Sequence, residues 1–113
     1  MKVAVIGSRN LLVTNLEIYL PCEVTEIVSG GARGVDSSAR EYATANGIEL
    51  TEFLPDYKKY GRGAPLRRNL EIIKHADLCL CFWDGASRGT KYVIDNCKKL
   101  GVNFQVVSVE NLL

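Results

Sequence analysis

The sequence has one histidine, one tryptophan and three prolines among 113 residues. No apolar run approaches the roughly 20 residues that a membrane helix needs. Its four cysteines, Cys22, Cys79, Cys81 and Cys97, include no C-x-x-C pair. With His75 distant in sequence from most of them, no metal site is expected. Cys79 and Cys81 fall in a strand-like apolar run and are expected to be buried as small hydrophobes. His75 closes an apolar helix-like run, where a polar end group suits a helix C-terminus, and is read as structural. Net charge is +1, which gives no bulk attraction to nucleic acid, so any anion site must be assembled locally. The start, "MKVAVIGSR", lacks the hydrophobic centre of a signal peptide, and a cytoplasmic protein with no membrane association is expected.

What is present is alternation. Charged residues at 24% and apolar residues at 47% are the balance of a globular protein, and the length suits one domain over residues 1–113. Period and punctuation predict strands at Lys2 to Ile6, Val24 to Ser29, Ile48 to Phe53, Asp77 to Trp83 and Val102 to Val107. Thr14 and Glu17 form the T-x-x-E of a capping box and predict a helix from Thr14 with Leu16, Tyr19 and Leu20 on its apolar face. A second helix is predicted from Val35 to Asn46, closed by Gly47. An irregular stretch, "LPDYKKYGRGAP", precedes a helix carrying Leu66, Leu70 and Ile73. The last helix carries Val93, Ile94, Cys97 and Leu100. Strands one and four are continuously apolar and three and five alternate. This predicts an α/β fold, a Rossmann-like doubly wound parallel sheet of five strands in the order 3-2-1-4-5.

In that order the topological switch lies between strands one and four, where ligands bind outside the carboxyl ends of strands. Three glycine-bearing loops converge there: "GSRN" with Gly7, Ser8 and Arg9; "SGGARGVD" with Gly30, Gly31, Arg33 and Gly34; and "WDGASRGT" with Trp83, Gly85, Ser87, Arg88, Gly89 and Thr90. Each can present backbone N–H groups at a helix N-terminus, an arrangement that attracts phosphate or carboxylate. Gly30 and Gly31 are read as letting backbone approach an anion, and Gly34 as letting the next helix pack closely. Arg9, Arg33 and Arg88 add one guanidinium to each loop, for phosphate contact or for pairing with Asp36 and Asp84. Asp36 and Asp84 are the two rim carboxylates, either of them a general base, a ribose acceptor or a helix N-terminal anion. Trp83 is read as core or as a stacking platform. The insertion after strand three adds Tyr57, Tyr60, Arg62, Arg67, Arg68 and Asn69, a mixture able to clasp a base and its phosphate, or a plain solvated loop.

Taken together, "GSR", "GGARGVD", "YGRGAPLRRN" and "FWDGASRGT" resemble the small YspA-related branch of the SLOG superfamily, in order and spacing, over nearly the whole chain. The resemblance implies a Rossmann-like domain binding a nucleotide or nucleotide-derived ligand, with Gly30, Gly31, Arg33, Gly34, Gly89 and Thr90 contacting phosphate. It also implies a two-fold homodimer, since superfamily members often dimerise. The LOG phosphoribohydrolases of the superfamily carry P-G-G-x-G-T-x-x-E. Here "ASR" replaces the first glycines and Val93 stands at the glutamate position, with Asp95 two residues further on.

Three functions compete. The first is a nucleotide-binding module that needs no cofactor and no metal. The second is a hydrolase of an N-glycosidic or phosphate bond, with Asp36 or Asp84 as base and Arg33 or Arg88 stabilising developing charge. The third is a single-stranded DNA-binding module resting on "GRGAPLRR", against which the near-neutral net charge weighs.

Overall fold

The computed structural model describes residues 1–108; residues 109–113, the last of the expected domain, lie outside the described residues. Five strands, β1 (Lys2–Gly7), β2 (Glu26–Ser29), β3 (Glu49–Glu52), β4 (Leu78–Trp83) and β5 (Asn103–Ser108), form one sheet in the order β3-β2-β1-β4-β5. Every pairing is parallel. The expected order is therefore the observed one, and β1 and β4 lie side by side at its centre with Gly7 paired to Phe82.

Alternate residues of β1 point to opposite faces, as pleating requires. Val3 and Val5 enter one core with Ile27, Leu80, Phe82 and the inner side of α1 (Val35–Asn46). Ala4 and Ile6 enter the other with Val28, Cys79, Cys81 and two further helices, α3 (Ala64–His75) and α4 (Arg88–Leu100). Cys79, Cys81 and Cys97 are buried in that second core, and Cys22 is exposed. A strand buried on both faces has no polar position to spare, which is why β1 and β4 read as unbroken apolar runs.

The helix expected from Thr14 does not form. Only a 3₁₀ turn, Leu16–Ile18, stands there, led by Asn15 with no side-chain cap. A helix between Thr14 and Pro21 would span fewer than two turns, too short to stand without strong packing, and Leu20 is held from helical geometry by the following proline. The segment is instead anchored on α1 at one point: Val13 N donates to Ser38 Oγ at 2.9 Å, and Val13 and Leu16 bury against that helix's face of the sheet. Tyr19, edge-on to Phe82 at 5.2 Å between ring centroids, completes the contact.

The stretch after β3 is more regular than expected. Asp56 caps a single helical turn, α2 (Tyr57–Tyr60), by accepting from Lys59 N at 3.1 Å, and a 3₁₀ turn, Gly61–Gly63, leads directly into α3. Two helix positions also differ from their apolar pattern: Leu66 and Leu100 are exposed; Ile73 is buried as expected, and α3 buries Ala64, Arg68, Asn69 and Ile72 beside it. Placing an arginine on the inward side of α3 is the departure that shapes the site.

At the other end of the sheet, His75 in the last turn of α3 hydrogen-bonds Glu26 at the start of β2, with 2.6 Å between Nε2 and Oε2. Its ring also lies edge-on to Phe53. His75 thus has the structural place expected of it, with a carboxylate partner that periodicity did not indicate.

Candidate functional site

The loops after β1, β2 and β4 meet beside the first turns of α3 around a cleft of about 880 Å³ at the β1/β4 switch point. Of the expected residues, Gly7, Ser8, Arg9, Gly30, Arg33, Asp36, Arg68, Asn69, Asp84, Ser87, Gly89 and Thr90 line it. Gly31 lines an adjoining chamber of about 600 Å³, walled by Leu54, Pro55 and Tyr57. Gly34, Trp83, Gly85 and Arg88 line neither chamber. Trp83 packs on the second core and donates from Nε1 to the Ser87 carbonyl at 3.0 Å, so it braces the β4 loop.

The glycines of "SGGARGVD" answer first to the protein itself. A Cβ on Gly30 would collide with the Arg68 guanidinium, which enters from α3 and donates from Nη1 to the Gly30 carbonyl at 2.6 Å. The same nitrogen reaches the Phe53 carbonyl at 3.3 Å, and Nε donates to Asn69 Oδ1 at 2.9 Å. Gly34 has φ 75° and lies against the backbone of Arg9, so any side chain there would strain the chain and separate two loops. Gly89 is the contrast. Nothing lies within 4 Å of where its Cβ would stand, at the opening of α4 and on the cleft wall.

The carboxylates are held differently. Asp36 is 7% exposed and accepts from Ala32 N at 3.0 Å, closing the glycine loop onto α1. Burial pushes its carboxyl above the usual range, only partly offset by the Ala32 N–H and the Arg68 charge. Asp84 instead accepts from Ala86 N at 2.9 Å and Ser87 N at 2.8 Å, and these backbone bonds lower its pKa. Arg68 is 8% exposed, and its pKa is lowered, first by burial and in part by the Arg9 charge.

Ser8 knots the rim together. Its N–H bonds the Phe82 carbonyl at 3.2 Å, and its carbonyl accepts from Leu11 N and Val35 N. Its hydroxyl is near enough to Asp84 to favour the ionised carboxylate. Yet Ser8 Oγ is the one buried side-chain polar atom among the described residues that completes no hydrogen bond. At α4, Ser87 is the N-cap, and its Oγ accepts from Thr90 N. The N-terminus of α1, behind Gly34, has no side-chain cap.

Sequence reasoning did not single out Ile6, Asn10, Ala32, Pro65, Leu66, Ile72 and Ala86 as lining residues. The one usable signal was Leu66, an apolar residue in the first turn of a helix opened by glycine and proline. Among the described residues no group of acidic, histidine and cysteine side chains is placed to hold a metal ion. No described helix is long and apolar enough to cross a membrane.

A parallel Rossmann-like sheet with its cleft at the switch point defines the class: an α/β domain of the kind that takes ligands at strand C-termini. Within that class the chain belongs to the YspA, cpYpsA-related SLOG family, whose model matches residues 1–60. It is similar to the Gene 61 protein of Mycobacterium phage D29, 35% identical over 82 residues, which are 67% of this chain and 66% of that protein. The chain thus spans about two thirds of that relative's length. No solved structure matches it. The position of the LOG glutamate is occupied by Val93, fully buried in the second core, while Asp95 is exposed and pairs with Lys91 at 3.2 Å.

Proposed function

We propose that the cleft binds a nucleotide or nucleotide-derived phosphate ligand and that the chain is a binding module. The observation that carries this reading is the donor set where the β1 and β4 loops border the cleft. Gly89 is open above its Cα at the start of α4, and Ser8 Oγ, bordering the same cleft with the Asp84 carboxylate near it, completes no hydrogen bond of its own. A buried hydroxyl without a partner is uncommon, and an anion oxygen satisfies it. The helix N-terminus adds partial positive charge at the same place. Tyr57 and Leu54 in the adjoining chamber supply a surface for a base. Family membership points the same way.

Titration calorimetry and thermal-shift measurements against mono-, di- and cyclic nucleotides and ADP-ribose-type compounds test this. Saturable binding that is lost in Gly89→Val supports it; no response to any of them at millimolar concentration overturns it.

A hydrolase reading rests on Asp36, the rim carboxylate whose affinity for a proton is raised by burial, as general acid-base groups require. Base or phosphate release that disappears in Asp36→Asn supports it. The single-stranded DNA reading is less favoured. Arg68 of "GRGAPLRR" is turned inward and Arg67 lies over the Tyr60 ring at 5.0 Å, which divides the basic stretch.

A further inference from the structure

The two chambers share one wall, and that wall is positively charged. Arg9, Arg33 and Arg68 border both the larger cleft and the smaller chamber under Tyr57. The side chains are gathered there by backbone contact, since Gly34, next to Arg33, lies directly against the backbone of Arg9. Like charges so placed repel one another unless an opposite charge intervenes. The effect is already visible on Arg68, whose protonated form the Arg9 charge disfavours.

The local carboxylates do not neutralise this cluster. Asp36 faces Arg68 and is tied to Ala32 N. Glu52, on the strand beside the glycine loop, is held by Arg40 at 2.9 Å. Asp84 borders only the larger chamber and is bound by the N–H groups of its own turn. Among the described residues Arg9 and Arg33 form no ion pair. Neither Asp36 nor Asp84 borders both chambers, and Asp36 faces only Arg68, so Arg9 and Arg33 stand without a carboxylate partner between the α4 terminus and Tyr57.

Resting on the nucleotide reading above, we infer that the junction seats a second phosphoryl group. The ligand class is then a nucleotide with two linked phosphates, its base toward Tyr57 and its distal phosphate toward Gly89. A monophosphate can meet one of the two ends or the junction, but does not supply charge to both the junction and the α4 terminus. Guanidinium groups suit this task because each offers two parallel donors to phosphate oxygens.

The test is titration calorimetry at one fixed ionic strength with paired probes: AMP and ADP, GMP and GDP, CMP and CDP, UMP and UDP. For the base the chamber accepts, the diphosphate is expected to bind at least about tenfold more tightly than its monophosphate, the effect of one or two charge-assisted hydrogen bonds. In Arg9→Gln/Arg33→Gln that ratio is expected to fall below about threefold, because the charge that selects the second phosphate is gone. Both side chains are exposed, and the single variant Arg33→Gln, expected to give an intermediate ratio, provides a check with less change to the rim. Monophosphates binding as tightly as diphosphates overturns the inference and leaves the nucleotide reading standing. A diphosphate preference that survives in the double variant overturns the assignment to Arg9 and Arg33. No binding of any of the eight probes overturns this inference and counts against the nucleotide reading as well.

Discussion

Arg68 on α3 and Gly30 at the end of β2 are joined by a 2.6 Å hydrogen bond from Nη1 to the carbonyl oxygen. The crossover between β3 and β4 thereby fixes a loop that belongs to the neighbouring βα unit. The contact requires glycine, because the guanidinium occupies the place of a Cβ. Arg68→Met removes the donors to Gly30 and Phe53 and the cation facing Asp36. We expect a loss of about 2–3 kcal/mol in urea denaturation. Hydrogen exchange is expected to rise first at residues 30–34. A variant as stable as the parent, with that loop still protected, contradicts the role given to Arg68.

Two glycines of the rim should respond in opposite ways. Gly34→Ala places a Cβ on a left-handed residue against the Arg9 backbone and is expected to destabilise by about 1–3 kcal/mol. Gly89→Ala meets open space in a helical turn, and its melting temperature should hold or rise, by the equivalent of about 0.5–1 kcal/mol. The methyl group should nonetheless weaken nucleotide affinity. Thermal melts and calorimetry on the two variants separate a structural glycine from a ligand-facing one.

The pH dependence of stability has contributions of opposite sign. For Glu26, burial alone would raise the carboxyl, but bonds from His75 and Thr51 and the neighbouring charges outweigh it, and the net shift is downward. A carboxylate lowered on folding adds stability above its unfolded pKa of 4.5, and that stability is lost as pH falls through the lower folded value. Glu26→Gln should therefore be less stable than the parent at pH 7, with the gap closing below about pH 4. Denaturant midpoints across that range check it; an unchanged gap removes the carboxylate from the account.

Asp36 runs the other way. Its folded carboxyl is raised from 3.8, so ionising it on the way to neutral pH costs the folded state. Asp36→Asn removes that cost while keeping an oxygen for Ala32 N. Relative to the parent, the variant should gain stability between acid and neutral pH, making its own acid loss steeper. An acid limb identical to that of the parent would show that Asp36 titrates alike in both states.

The layout was legible wherever one periodicity served one purpose. Lys2 to Ile6 and Asp77 to Trp83 read as central strands because burial on both faces leaves no polar alternation. The helix ending at Asn46 was marked by Gly47, whose N–H caps the Ala43 carbonyl at φ 63°. Legibility failed where tertiary contact overrode local grammar. The T-x-x-E at Thr14 has the pattern of a capping box, but the chain there closes only one 3₁₀ turn and is anchored through Val13 N on Ser38. In the site, the three loops were placed correctly, but an arginine such as Arg68 shows the same letter whether it points to solvent or into the fold. The same ambiguity affected Trp83, whose ring braces Ser87 rather than lining the cleft.

The distribution of sulfur gives the molecule a built-in reporter. Cys79, Cys81 and Cys97 are enclosed between the sheet and its helices, and burial pushes all three thiols upward, Cys81 to about 12. Cys22 alone is exposed. A thiol-reactive dye therefore meets one sulfur in the native molecule and four once the sheet separates. The pace at which the other three become labelled times the opening of the β1–β4 centre on which the cleft is built, with no residue altered.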